Sequence, residues 1–256
     1  MAVDWLVPGN CGVALDVAAG TGLLSRLLAP RFERVVAVEP DARMGAVLRA
    51  RSPGVRVVLG TAEAIPAADA SADGVFVSSA WHWMDPGRAI PEIARVLRDG
   101  GRFGVIWTSR DHQVAWLRDL NRHRELSQTR DGDRDREPPA TGPDASPAGQ
   151  GDGPGGARPR SWRRAATLPA DGVFGNIETE SFAFSRTMTA GDFVDMLATY
   201  SGVITASREE RAAALATAQA ILDERFPGAS EIDVPMRAWC WRADRTPRIC
   251  AIARFS

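Results

Sequence analysis

Short runs of β-branched and aromatic residues alternate with stretches of helical spacing over the first 126 residues. The runs VALDV (13–17), RVVAV (34–38), VRVVL (55–59), GVFVS (74–78) and RFGVIW (102–107) are almost continuously apolar and bounded by turn residues. That pattern predicts strands buried on both faces. Between them, Leu23, Leu24, Leu27 and Leu28 form one helical stripe, and Ile90, Ile93, Ala94 and Leu97 form another. Strand and helix in alternation predict a doubly wound α/β fold, a parallel sheet with helices on both faces joined by right-handed crossovers.

The pattern stops at Ser127. From there to Ser161 the chain holds no Val, Ile, Leu, Met, Phe, Tyr or Trp. Too little surface is available for burial to offset the entropy of ordering, so a flexible Gly/Pro-rich linker is expected. Its arginines and acids nearly cancel and no aromatic interleaves them, which favours a solvated tether over a nucleic-acid arm. Apolar patterning resumes at Trp162. NIETESFAFS (176–185) reads as a strand with Ile177, Thr179, Ser181 and Ala183 on one face, followed by helices near 190–200 and 208–226. The second helix starts at a Ser207/Glu210 capping box. EIDVPMRAWCWRA (231–243) reads as a further strand, where Pro235 suggests an edge or a bulge. The expected division is 1–126, 127–161 and 162–256.

Composition narrows the chemistry. A net charge of −1 supplies no general attraction for nucleic acid or an anionic membrane. No apolar run approaches the ~18 residues of a membrane span, and the N-terminus lacks a leader pattern, so a cytoplasmic protein is expected. Cys11, Cys240 and Cys250 have neither metal-site spacing nor an even number for a disulfide framework. All 31 basic residues are arginines, which excludes a lysine Schiff base, a lysine general base and a P-loop lysine.

The candidate site begins at DVAAGTG (16–22), which follows the first strand and opens a helix. Gly20 and Gly22 permit close backbone approach to a ligand. Glu39 closes the second strand 19 residues after Gly20, where a carboxylate can accept from both hydroxyls of a ribose. Asp16 as a cap and Glu39 as a strand-end charge are the structural alternatives. To this point a nicotinamide cofactor and S-adenosylmethionine fit almost equally. Three details separate them. Ser25 fills only loosely the small third position of a dinucleotide fingerprint. Asp16 puts negative charge beside the pocket, which suits an ammonium and a sulfonium better than a pyrophosphate. An acidic loop, 60–79, follows the third strand and suits an adenine edge.

In order and spacing, LDVAAGTG, VVAVEPD, GTAEAIP and EIARVLRDGGRF resemble the motifs of class I S-adenosylmethionine-dependent methyltransferases. Among these the chain is similar to small-molecule enzymes of the ubiquinone-biosynthesis and trans-aconitate type, strongly over 3–110 and more loosely over 162–243. The resemblance implies a seven-stranded Rossmann-like sheet, mostly parallel with an antiparallel C-terminal strand, and a helical cap on the substrate side. It places the methionine part of the cofactor over Asp16 to Gly22, with Ala18 among the contacts. The ribose falls on Glu39, the adenine beside Pro40, Asp41, Ala62 and Glu63, and Ser79 completes the set; a solvent-facing Glu63 is the alternative. Relatives usually carry an additional N-terminal helix over the cofactor, so a more open pocket is expected.

SSAWHWMDP (78–86) then falls where the methyl group would point. Trp81 and Trp83 are candidate walls of the acceptor pocket, at least one of them expected to pack internally. His82 is a candidate general base, or a hydrogen-bonded wall residue. Tyr200 is a candidate substrate contact, whereas His112 and His123 are expected at the surface. No metal site is expected. The function implied is methyl transfer to a small-molecule acceptor by in-line displacement, with neither a nucleic-acid nor a membrane partner. The alternatives are a protein or cyclase that uses S-adenosylmethionine without methyl transfer, and a nicotinamide oxidoreductase.

Overall fold

The computed structural model describes residues 1–9, 11–118, 120, 172–199, 201–204 and 206–247. The expected linker 127–161, Tyr200, His123, Cys250 and the last nine residues lie outside them. A short helix α1 (Ala2–Leu6) precedes β1 (Val13–Val17), α2 (Leu23–Leu28), β2 (Arg34–Val38), α3 (Ala42–Arg51), β3 (Arg56–Val58) and β4 (Ala72–Ser78). A 3₁₀ turn (Trp81–Trp83), α4 (Pro86–Val96) and β5 (Leu97–Arg110) follow. After the undescribed stretch come β6 (Phe174–Met188), α5 (Ala190–Ala198), α6 (Ser201–Ile204), α7 (Arg208–Arg225) and β7 (Ile232–Arg245).

The strands form one seven-stranded mixed sheet in the order β3-β2-β1-β4-β5-β7-β6. Pairs β1–β2, β1–β4, β2–β3 and β4–β5 are parallel, and the C-terminal strands are antiparallel. The chain therefore builds outward from β1 to β3, then returns to add β4 on the other side of β1. That reversal leaves a crevice at the carboxyl ends of β1 and β4, where ligands bind in open α/β sheets. β7 lies between β5 and β6, so Pro235 belongs to an interior strand rather than the edge that its missing N–H suggested. The Pro235 carbonyl is satisfied by the Asp111 amide at 2.9 Å.

Both faces of the sheet are covered. On one, Leu24 and Leu28 of α2 and Leu48 of α3 pack with Leu6 and Phe76; on the other, Ile90, Ile93 and Ala94 of α4 pack with Val75, Val77 and Phe103. Phe103 is an aromatic hub, with ring centroids of Trp241, Trp81 and Phe174 at 5.0, 5.3 and 5.8 Å. The leucine stripe of α2 is narrower than its spacing suggested, because Leu23 and Leu27 are exposed and only Leu24 and Leu28 reach the sheet. Four leucines in six residues span more of a helix than one sheet can cover. Leu97 leaves α4 and starts β5, where it is still buried. The turn Asp99–Gly101 is accommodated as a register shift against β4, with Gly100 at φ +75°.

The described residues divide into two compact units that are not consecutive stretches. Among the described residues, one draws on 1–109, 172–183 and 237–247, the other on 110–120 and 184–236. The second unit has its own core of Trp116, Leu117, Phe193, Leu197, Leu222 and Val234. Its helix α7 opens on the expected capping box, the Glu210 amide donating to Ser207 Oγ at 3.2 Å and the Ser207 amide to Glu210 Oε2 at 2.9 Å.

At the amino ends of the strands, the buried Asp73 accepts from the Val13 amide at 2.7 Å and pairs with Arg98 at 2.6 Å. Its carboxylate joins β1, β4 and the start of β5. Asp73→Ala should cost ~2–4 kcal/mol, because a buried amide and part of a guanidinium lose their acceptor. Urea unfolding measures it, with a lower midpoint expected at an unchanged slope.

Candidate cofactor and acceptor site

The site is built where β1, β2 and β4 end. Beyond Val17 the chain turns through three left-handed residues, Ala18 (φ +55°), Gly20 (φ +58°) and Gly22 (φ +83°). The two glycines serve different ends. A Cβ on Gly22 would lie 2.6 Å from Leu48 Cγ, so this glycine lets α2 close on α3. A Cβ on Gly20 would meet nothing within 4 Å, so this one leaves open space above the turn. Ala18 has no such freedom, and a left-handed alanine costs of order 1 kcal/mol that the surrounding hydrogen bonds must hold.

Glu39 supplies them. Its Oε2 accepts from the Gly20 amide at 2.7 Å and its Oε1 from the Asp41 amide at 2.9 Å, while the Ala19 amide donates to the Val38 carbonyl at 3.2 Å. Glu39 is buried, yet two donors leave about half of a carboxylate's acceptor capacity unused. A vicinal diol matches that remainder.

Asp16 lies deeper and is fully enclosed. Its Oδ2 accepts from Ser25 Oγ at 2.5 Å, while Oδ1 has no partner. Burial pushes its carboxyl up to about 7, and the nearby Glu39 charge adds to the rise. Two buried carboxylates thus flank the glycine turn, neither paired with an arginine among the described residues. A cation bound here would favour ionisation of Asp16, whereas a pyrophosphate would oppose it. With its space above Gly20 and spare acceptors on Glu39, the site fits an adenosyl sulfonium with an amino acid group.

The loop after β3 places Ala62 in the core and leaves Glu63 half-buried. Glu63 Oε1 accepts from the Asp85 amide at 3.0 Å. Burial pushes its carboxyl up, but the backbone amides it accepts from outweigh that and hold it below the usual range. The same loop hangs on α4. Arg95 donates to the Ala67 and Ile65 carbonyls at 2.9 and 3.0 Å and pairs with Glu92 and Asp69, and Glu92 accepts from the Ile65 amide at 2.9 Å. Sequence reasoning missed Glu92 and Arg95. Their three-residue spacing on one helix face was visible, but not the loop they hold. Pro40 leads from Glu39 into α3, which Asp41 caps by accepting from the Arg43 amide at 2.8 Å.

On the acceptor side, Ser79 follows β4 in a left-handed conformation (φ +53°), and its amide donates to the Ile106 carbonyl at 2.9 Å. The two tryptophans after it part company. Trp81 points into the core against Phe103 and presents no surface for an acceptor, a correction to its expected role as a pocket wall. Trp83 is 82% exposed. Trp107, seen from sequence only as the end of a strand, takes the second place beside His82. The His82 ring lies 4.7 Å from that of Trp83 and 4.9 Å from that of Trp107. His82 is exposed, and partial desolvation beside these rings holds its imidazole below the usual value. His112 is half-buried rather than at the surface. Among the described residues no cluster could hold a metal, and no helix is long and apolar enough to cross a membrane.

The sheet order, the glycine turn and the acid closing β2 define a Rossmann-like domain. Residues 15–105 match the family described as the methyltransferase domain. Over 119 residues the chain is 53% identical to an uncharacterized methyltransferase of Mycobacterium tuberculosis, covering 46% of this chain and 49% of that one. A methyltransferase-like protein of Schizosaccharomyces pombe is 28% identical over 217 residues, covering 81% of this chain and 73% of that one. The solved structure of a candidate type II methyltransferase from Anaeromyxobacter dehalogenans matches with a TM-score of 0.70 at 25% identity, covering 95% of both chains. Over residues 15–105 the chain is thus similar to methyltransferase domains. It spans about half the length of the mycobacterial relative.

The raised Asp16 carboxyl makes stability depend on pH with a definite sign. Its ordinary value is 3.8 and its folded value about 7, so between these the folded chain holds a proton that the unfolded chain has lost. Stability from this group is therefore complete below ~4, falls as pH rises, and is lost above ~7. Urea unfolding of the wild type and Asp16→Asn across pH 4–8 should show the wild type losing ground through that window, then a constant difference. A pH-independent difference would remove Asp16 from the titration.

Proposed function

We propose that the chain transfers a methyl group from S-adenosylmethionine to a small-molecule acceptor by in-line displacement. The observation that carries this reading is the pair of buried, arginine-free carboxylates, Asp16 and Glu39, about an open glycine turn. When bound, S-adenosylmethionine supplies a methyl group already activated on a sulfonium. The protein's task is then alignment and exclusion of water. Glu39 would hold the ribose hydroxyls with its unused lone pairs, and the Ala18–Gly22 backbone would carry the methionine part. Ala62 and the Pro40–Asp41 corner would flank the adenine, with Glu92 and Arg95 holding the loop in place. His82, at the carboxyl end of β4, would accept the acceptor's proton. The Ser79 amide, bonded to the Ile106 carbonyl, and the ring of Trp107 on β5 would hold that segment.

Calorimetry with S-adenosylmethionine and with NAD separates the methyl donor from a nicotinamide cofactor, and only the former should bind. Two hydrogen bonds to a charged acceptor are worth ~1.5–3 kcal/mol each, so Glu39→Ala should weaken that binding at least ~10-fold. Unchanged affinity in a folded variant would refute the ribose assignment. Transfer is tested with a labelled methyl donor and an acceptor panel; binding without any formation of S-adenosylhomocysteine would make this a binding protein. With a turned-over acceptor, His82→Gln should lower kcat by roughly 10²- to 10⁴-fold while donor affinity barely moves. Near-normal turnover would reduce His82 to a wall residue.

A further inference from the structure

Asp16 is fully enclosed near the end of β1, and its only polar partner among the described residues is Ser25. The Ser25 hydroxyl donates to Oδ2 at 2.5 Å, while the buried Oδ1 has no partner. An enclosed anion needs several donors in place of the water it has lost. Glu39 has them, one oxygen taking the Gly20 amide at 2.7 Å and the other the Asp41 amide at 2.9 Å. Asp16 does not.

The elements packed around Asp16 bring no cation to it. Ala37 and Phe76 stand opposite it on β2 and β4. The one arginine of α2, Arg26, donates instead to the Thr21 carbonyl at 3.0 Å and to Ser52 Oγ at 3.3 Å. On α3, Arg43 is paired with Asp41 at 2.8 Å and Arg49 lies over Gly45. Burial pushes the Asp16 carboxyl up to about 7 against the pull of the Ser25 hydroxyl and amide, and the negative charge of Glu39 adds to the rise. The turn above remains open, since a Cβ on Gly20 would meet nothing within 4 Å.

We propose that Asp16 holds a proton in the free protein and surrenders it when the methyl donor binds. The proposal rests on the methyl-transfer reading above and gives that site its pH dependence. The donor's ammonium brings the positive charge that the chain itself withholds from Asp16. As it binds, the carboxyl O–H bond breaks, its electron pair stays on oxygen and the proton leaves to water. At low pH the proton therefore competes with the donor. Affinity rises with pH while the free chain is still protonated and levels off once Asp16 ionises unaided.

Calorimetry of the full chain with S-adenosylmethionine, in phosphate and in Bis-Tris, counts the protons released, because the two buffers differ in heat of ionisation. About 0.9 proton per donor should leave at pH 6 and about 0.5 at pH 7, with affinity ~10-fold tighter at pH 7 than at pH 5.5. Release should vanish in Asp16→Asn, and 5′-methylthioadenosine, which lacks the ammonium, should bind without it. In wild-type chain carrying ¹³C-carboxyl aspartate, infrared difference spectra should show a protonated aspartate band lost on donor binding, whether or not the variant folds. Equal heats in both buffers, release that persists in a folded Asp16→Asn, or no such band would overturn the coupling alone. Absence of donor binding would overturn the methyl-transfer reading and the coupling with it.

Discussion

Both oxygens of the Glu39 carboxylate are committed to backbone amides on opposite sides of one crevice, and the rest of the site depends on that constraint. Gly20 belongs to the turn after β1, Asp41 to the cap of α3 after β2. A single buried side chain therefore holds the left-handed Ala18–Gly22 turn against the next strand's end. Without those bonds the strained alanine and two left-handed glycines would have little to fix them. Burial is the main reason that Asp16 beneath it resists ionisation, and the Glu39 charge adds to that resistance.

A second set of contacts does for the proposed acceptor side what Glu39 does for the proposed cofactor side. Arg95 and Glu92 fasten the loop 61–69 to α4, and Glu63 reaches from that loop to the amide of Asp85, the residue that caps α4. Two residues before Asp85 stands Trp83. The loop flanking the proposed adenine position and the turn carrying His82 thus share one helix as their support. Carboxylates in this part of the molecule are spent mostly on backbone amides, which gives rigidity to irregular segments that no strand pairing could supply.

Much of this was legible in the chain. Five apolar runs named the five parallel strands, since a strand buried on both faces has no polar positions to interrupt it. Glycines after one strand and an acid after the next pointed to the candidate site, because close backbone approach and recognition of a ligand's hydroxyls would demand those residue types. Less legible was direction. Trp81 and Trp83 sit two apart in a tight turn and face opposite ways, and only packing against Phe103 decides which is core. Trp107 joined the site by strand register, which places Ser78 beside Ile106 and so brings β5's end to the turn after β4.

By itself the sequence determined the alternating α/β plan, the glycine turn, the two carboxyl groups of the candidate site and the resemblance to methyltransferases. These are local consequences of residue type and spacing, readable wherever one strand or turn must satisfy its own backbone and bury its own face. Tertiary structure alone decided the interior place of β7, the exposure of Leu23 and Leu27, the partner of Glu63 and the rings around His82. Each of those depends on which distant segment comes alongside, and pairing between strands or across a loop leaves no periodic trace in either segment.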